Sequence, residues 1–350
     1  MNPKFPSEFV AILDVGHGNA TVISTKAGTV VIDSGTGTTL HEFLAQAGIT
    51  KIDTLALSHA DQDHIGSVAG LLASNKFAID NVFLNTDSQK QTEVWTDLLY
   101  ELQAAQARGK IIRFSPALAQ GSPAVLSPCG VTIEVCAPCP YLAGLGPGAN
   151  TKEKRTITSN SISAVMRVST PAGPTAILLG DVDDLGVAYL KKFGGDMRAP
   201  LIVFPHHGGL SGDGQVKPSK FTRAIMDLTE PSIVVFSIGR NHFRNPVPEI
   251  ARSIRRLNPR CRIICTQLSG HCSSKSLDKV PARHLSHAFA AGRDTGISCG
   301  GTILIDLADP GSILPTPNNH RAFIKRHVPS PLCMIKRGKP VKRGFKRPRV

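Results

Sequence analysis

The chain has 350 residues, of which 41% are hydrophobic and 19% charged, a composition that excludes a wholly disordered chain and allows one large core or a core with a small appendage. It holds no apolar run of about 18 residues, and the start, Met1-Asn2-Pro3-Lys4-Phe5-Pro6, lacks the apolar stretch of a secretory leader, so no membrane partner and a cytoplasmic location are expected. The net charge of +14 is uneven: residues 320–350 hold eleven Lys or Arg and no acid, leaving 29 basic against 26 acidic residues elsewhere, the pattern of a basic arm on a nearly balanced body.

In chain order, residues 9–13 read as a strand followed by the turn Gly16-His17-Gly18. Residues 20–24 and 29–32 read as a hairpin around Lys26-Ala27-Gly28, and residues 40–47 as a helix stopped by Gly48. A short apolar strand, Thr54-Leu55-Ala56-Leu57, ends at Ser58, and residues 65–72 have helical spacing. Further strands are predicted at 81–84, 110–114, 131–135, 161–168, 176–179, 201–204, 233–237 and 302–305, with helices at 92–108, 184–193, 221–228 and 247–257. Residues 138–155 read as a loop, and 269–298 as irregular. From about Pro315 apolar groups are few, so a domain over 1–315, with an irregular Cys- and His-containing insert at 266–300, and a flexible basic tail over 316–350 are expected. Strands mixed with helices in this order predict an α/β layered fold.

The densest chemistry is Ser58-His59-Ala60-Asp61-Gln62-Asp63-His64-Ile65-Gly66, with four potential ligands in six residues at a strand exit. A tight loop after a buried strand converges lone pairs at little entropic cost, and imidazole with carboxylate suits zinc or manganese. This segment resembles the metal-binding signature of the metallo-β-lactamase superfamily, and Asp at position 61, where His is commoner, is similar to the hydrolase domain of the competence protein ComEC and its free-standing relatives. Other segments resemble the family in the same order: Leu13-Asp14-Val15-Gly16-His17-Gly18-Asn19-Ala20, Val30-Val31-Ile32-Asp33-Ser34-Gly35, Ser159-Asn160-Ser161-Ile162-Ser163, Leu179-Gly180-Asp181 and Pro205-His206-His207-Gly208.

The resemblance implies an αββα sandwich and one or two divalent ions, Zn or Mn. His59, Asp61 and one of His206 or His207 would hold one ion, Asp63 and His64 the other, and Asp181 would bridge them. Activation of water between the ions follows, with His59, Asp63 and Asp181 central to catalysis. The usual third histidine is missing near Asn160, and the late His-Pro is Asn245-Pro246 here, so His242 is either a substitute ligand or a surface histidine. Asn160, Arg240 and Arg244 are candidate substrate contacts, the arginines as phosphate holders. Eight cysteines in a cytosolic chain do not suggest a disulfide framework; Cys265, Cys272, His284 and Cys299 are read either as core groups or as a separate structural zinc site. By resemblance the reaction is phosphodiester hydrolysis of DNA, single-stranded DNA in particular, with the basic tail following the phosphate backbone; with only Phe323 and Phe345 available there for stacking, sequence-specific reading is not expected. The alternatives are hydrolysis of a small phosphoester and a non-catalytic subunit with a protein partner in a bacterial defence or competence system.

Overall fold

Alternation in the first strand sets up the layers. In β1 (Phe9–Ile12), Val10 and Ile12 enter one core while Phe9 and Ala11 enter another, as expected of a strand covered on both faces. The computed structural model describes residues 5–334 except 75, 86, 88, 123–129, 212–215, 241, 242, 276 and 278–281. After β1 come the hairpin β2 (Thr21–Thr25) and β3 (Gly28–Ile32), α1 (Thr39–Gln46), β4 (Lys51–Leu57), α2 (Gln62–Ile65), α3 (Val68–Ala73), β5 (Ala78–Leu84), α4 (Glu93–Ala107) and β6 (Arg113–Ser115). The second half runs β7 (Thr132–Ala137), α5 (Pro140–Leu145), β8 (Val165–Thr170), β9 (Gly173–Leu178), α6 (Asp184–Phe193), β10 (Leu201–Val203), α7 (Pro218–Thr229), β11 (Ile233–Phe236) and α8 (Pro248–Leu257). It closes with β12 (Arg262–Cys265), β13 (Ile303–Asp306), β14 (Ile313–Leu314) and α9 (Pro317–His327).

An eight-stranded sheet, β14-β13-β1-β2-β3-β4-β5-β6, packs on a six-stranded sheet, β12-β11-β10-β9-β8-β7. Val10, Ile32 and Phe83 from the first meet Met166, Leu178 and Val235 from the second in the central core. On the outer face of the first sheet lie Leu40 and Phe43 of α1 and Trp95 and Leu98 of α4. Against the second lie Val187 of α6, Phe221 of α7 and Ile254 of α8. Three cores in this order make four layers, helix–sheet–sheet–helix, the αββα sandwich expected. Strands β3 to β6 are mutually parallel, as are β9 to β12. Parallel strands leave backbone groups and loops free at their carboxyl ends, where ligands collect in open α/β sheets.

Several elements differ from the sequence reading. The helix expected at 65–72 is two, parted by Gly66 and Ser67. Part of the expected loop at 138–155 is the short α5, opened by Pro140 at its first turn. β12 and β14 were not anticipated. Residues 316–334 are not a flexible tail. Thr316 Oγ1 caps α9 by accepting from Asn319 N at 3.3 Å, and His320, Phe323 and Ile324 are buried. Leu332, Cys333 and Met334 also pack on the helix core. The apolar stripe of α9 contains a histidine, and its other face is basic, so composition alone hid it. Phe323, one of the two tail rings counted as available for stacking, is buried and stacks on His284 with ring centroids 3.8 Å apart. Phe345 lies outside the described residues. No helix among them is long and apolar enough to cross a membrane.

Candidate metal centre

The carboxyl ends of five strands supply the site. Asp33 follows β3, Ser58 and His59 follow β4, Asp181 follows β9, His206 and His207 follow β10, and Ser237 follows β11. Asp33 has φ +58° and His207 φ +53°, left-handed conformations that non-glycine residues adopt rarely and that turn the chain sharply at a strand end.

Asp33 organises the ligand loop. Its Oδ1 accepts from Ser58 N at 2.7 Å, and its Oδ2 accepts from Ser58 Oγ at 2.8 Å and from His64 Nδ1 at 2.7 Å. With the proton on Nδ1, His64 presents its Nε2 lone pair, 3.5 Å from Asp181 Oδ1. His207 is oriented likewise. Its Nδ1 donates to Ser237 O at 2.7 Å, and its Nε2 stands 3.1 Å from Asp63 Oδ2 and 3.6 Å from Asp181 Oδ1. His59 places Nδ1 3.1 Å from Ser58 Oγ and 3.4 Å from Ser163 Oγ. Ser163 Oγ also accepts from Asp181 N at 2.9 Å, which ties the two ligand segments together.

Two groups result whose donor atoms lie within 4.8 Å of one another: His17, Asp63 and His207, and His59, His64 and Asp181. The groups adjoin, since His207 faces the carboxylates of both. The Nε2 atoms of His59, His64 and His207 are buried and have no hydrogen-bond partner among the described residues. Buried polar atoms are normally satisfied. Three imidazole nitrogens aimed at carboxylates, each of the two with its Nδ1 donated holding a lone pair forward, fit divalent cations well.

The electrostatics agree. Burial opposes the charged form of Asp181, but His207, His64 and His206 outweigh it and hold the carboxyl well below its usual range. Burial likewise opposes charge on Asp63, and His207 and His64 overcome it. Against burial, Asp33 and Asp181 raise His64 well above the usual imidazole range. A field that holds a proton on His64 so firmly is one that would also hold a cation in its place.

The partition differs from the one the resemblance implied. His64 sits with His59 and Asp181, and Asp63 sits with His207 and His17. Asp61 belongs to neither group; its carboxylate pairs with Lys90 Nζ, and its Oδ2 lies 3.6 Å from His59 Nε2. His206 donates its backbone N–H to Asp181 Oδ1 at 3.1 Å and keeps its ring outside both groups, 3.7 Å from Asp181 Oδ2. His242 lies outside the described residues. The backbone carbonyl of Asn160 accepts from Asp183 N at 3.3 Å and Ser163 N at 3.2 Å, and its side chain joins neither group. Arg240 is not a ready phosphate clamp, because its guanidinium donates to Leu268 O at 2.7 Å and Ser273 O at 2.9 Å. Arg244 is exposed, and its carbonyl accepts from His271.

Neither His17 nor Lys90 was assigned to the site from sequence. The signal for His17 was its place between two glycines after β1. Gly18 has φ +128°, and a Cβ there would lie 2.2 Å from Asp63 O, so only glycine lets this turn approach the ligand loop.

The four residues weighed as a structural zinc site do not converge. His284 Nε2 bonds Cys299 O at 2.8 Å, and its ring stacks on Phe323. Cys299 Sγ instead meets His320 Nε2 at 3.5 Å. Cys265, Cys272 and Cys299 line an apolar pocket with Leu268 and Ile324, and among the described residues they form no group with metal-holding spacing. Burial pushes all three thiols up, as for core cysteines.

Residues 13–177 match the Metallo-beta-lactamase superfamily. The chain is 25% identical over 268 residues to "Competence protein ComA" of Neisseria gonorrhoeae, covering 75% of this chain and 31% of that protein. It is 24% identical over 297 residues to "ComE operon protein 3" of Bacillus subtilis (strain 168), covering 77% and 33%. It thus spans about a third of the length of these relatives. Among solved structures, the metallo-beta-lactamase fold protein YhfI from Bacillus subtilis superposes with a TM-score of 0.45 at 11% identity, over 71% of this chain and 92% of that one. The chain has the metallo-β-lactamase fold, with the match to the Metallo-beta-lactamase superfamily confined to residues 13–177 and a weak homology to the competence proteins.

Proposed function

We propose that the chain hydrolyses phosphodiester bonds of DNA, with single strands as the preferred substrate. The observation that carries this reading is the pair of adjoining His/Asp groups, joined where His207 Nε2 faces Asp63 Oδ2 at 3.1 Å and Asp181 Oδ1 at 3.6 Å. Divalent ions bound there would supply an activated water and a counter-charge for the phosphorus under attack. His59, His64 and His207 would donate Nε2, and Asp181 would serve both groups. Asp63 is the more accessible carboxylate, with a side chain 24% exposed against 11% for Asp181, and is suited to orient the incoming water and accept its proton. Lys90, held at the rim by Asp61, offers a cation to a non-bridging phosphate oxygen. The resemblance of the Asp61 form of the motif to the ComEC-type hydrolase domain favours DNA over a small phosphoester, and the basic residues after 334 would add non-specific backbone contacts. A protein partner in a competence or defence assembly belongs to the same reading.

The test is incubation of metal-stripped and Zn- or Mn-repleted protein with end-labelled single-stranded and duplex DNA, beside a chromogenic phosphodiester. Metal-dependent cleavage of single strands, lost in Asp63→Ala, is the expected result. Turnover of the small diester alone would replace DNA with a small phosphoester as substrate. Metal binding without any turnover would leave a binding subunit.

A further inference from the structure

A cleft of about 910 Å³ lies between α8, the start of β12 and α9. Among the described residues its lining includes Arg255, Arg260, Arg262, Arg321 and Lys325 and no acidic residue. None of the five is in an ion pair among the described residues; the arginine–carboxylate pairs are made elsewhere, by Arg108, Arg155, Arg167 and Arg198.

The cleft is built rather than merely decorated. Arg255, partly buried, donates to the carbonyls of Cys261 and Cys333, and its Nε is buried with no hydrogen-bond partner among the described residues. Arg262 donates to Pro315 O, which anchors the chain entering α9. Burial, with Arg321 nearby, pushes the Arg262 guanidinium down to about 10. The fold thus gathers like charges here without neutralising them, an arrangement that costs stability unless an anion shares the space.

The cleft is also distinct from the metal centre. Ile233 and Arg262, at its edge, begin β11 and β12, whereas the metal-facing residues follow the carboxyl ends of the parallel strands. A four-residue strand separates the two ends by roughly 13 Å.

We infer that this cleft binds the phosphodiester backbone of a nucleic-acid strand, as a second contact region remote from the metal centre. The inference rests on the reading that the chain acts on DNA. Five cations spread over such a volume exceed what one small anion needs. The protein's own continuation is unsuited as occupant, since residues 335–350 hold eight Lys or Arg and no acid. Four of the five cations are arginine, whose planar fork matches phosphate oxygens. Among the described residues no Phe, Tyr or Trp lines the cleft, and the one ring there, His320, is buried, so the cleft would grip the backbone without reading bases.

The test uses the full-length protein in chelator, so that no cleavage occurs, with 5′-fluorescein dT20 followed by anisotropy across a salt series. The cleft variant is R260E/R321E/K325E, all at exposed positions; the control, K191E/K192E/K220E, makes the same charge change elsewhere on the surface. The cleft variant should bind at least tenfold more weakly, and its log–log salt slope should flatten by about 2, from ~0.7 per lost contact on single strands. The control should change less than threefold, and turnover of a small chromogenic diester should be equal in both. Should the charge reversals lower the melting temperature, the neutral R260Q/R321Q/K325Q set is measured instead, with the same expectation at reduced size. Equal losses in cleft and control variants, or no loss in the cleft variant, would overturn the inference. So would loss of binding to a fluorescein-labelled polyglutamate peptide with dT20 binding intact, which would assign the cleft to an acidic protein. Cleft-dependent dT20 binding by a protein that never cleaves DNA when loaded with metal would remove the hydrolysis reading and leave the cleft standing.

Discussion

Asp33→Asn perturbs the centre without touching a ligand. Asp33 sits at φ +58°, and asparagine tolerates that conformation as well as aspartate does, so the backbone should keep its course. The carboxylate accepts three hydrogen bonds, at 2.7, 2.8 and 2.7 Å, from Ser58 N, Ser58 Oγ and His64 Nδ1. An amide cannot accept all three. If its oxygen keeps Ser58 N, its NH2 faces the His64 ring, and His64 must move its proton to Nε2. That nitrogen then offers a hydrogen where the centre needs a lone pair. Removing such an orienting partner typically lowers metal affinity by about 10–100-fold, or ~1.4–2.8 kcal/mol. Losing a charge-assisted bond to a fully buried imidazole should also lower folding stability by roughly 1.5–3 kcal/mol in metal-free protein. The assays are competition with a chromogenic chelator for metal affinity and urea denaturation for stability. Metal affinity within twofold of wild type in a folded Asp33→Asn protein would refute the argument that Asp33 sets the His64 tautomer.

Other consequences follow from the same geometry. Asp181→Ala should reduce bound metal more than Asp61→Ala does, because Asp181 faces His64 and His207 whereas Asp61 is held by Lys90; elemental analysis of dialysed protein compares them. Gly18→Ala should displace the Asp63 segment and lower metal content, since the added Cβ would lie 2.2 Å from a backbone oxygen; unchanged loading and melting temperature would contradict the close approach. Removing residues 335–350 should leave melting temperature unchanged while weakening DNA binding and flattening its salt dependence, but removing 317–350 should cost several kcal/mol because Phe323, Ile324 and Val328 leave the core. His320 is pushed down to about 3, by burial first and then by Arg262 and His284. Its folded value lies below its unfolded one, so the unfolded chain binds the extra proton between about pH 6.5 and 3. Stability should therefore be intact above that window and fall by up to about 1.4 kcal/mol per pH unit within it; in urea titrations His320→Gln should show a shallower acid slope.

The layered fold was legible because its strands are short apolar runs separated by glycine and polar turns, and because the ligand loop follows β4 directly. The chemistry at Asp33, Asp63, His64 and Asp181 was visible as residue type at strand exits. The grouping of ligands was not, since it depends on which strand ends meet across the two sheets, information no local spacing contains. His17 was hidden for that reason: it is brought to Asp63 by the β1–β2 turn, 3.5 Å away at Nε2. Arg240 misled because a loop arginine near a site looks free until the carbonyls of Leu268 and Ser273 are seen to hold it. α9 was missed because its buried stripe includes His320 and is short of aliphatic residues, so charge dominated the reading. The irregular 266–300 stretch gains its order from buried Asp14, whose carboxylate accepts from Ser298 Oγ at 2.7 Å and Gln267 Nε2 at 2.8 Å, contacts more than 250 residues distant in sequence.

The most direct test of the central claim is a crystal structure of the Zn- or Mn-loaded protein with anomalous scattering collected at the metal edge. The expected result is two peaks, one ligated by Asp63 and His207 with His17 beside it, the other by His59 and His64, with Asp181 reaching both. A single peak outside these residues, or metal bound only at Cys265, Cys272 and Cys299, would contradict the account.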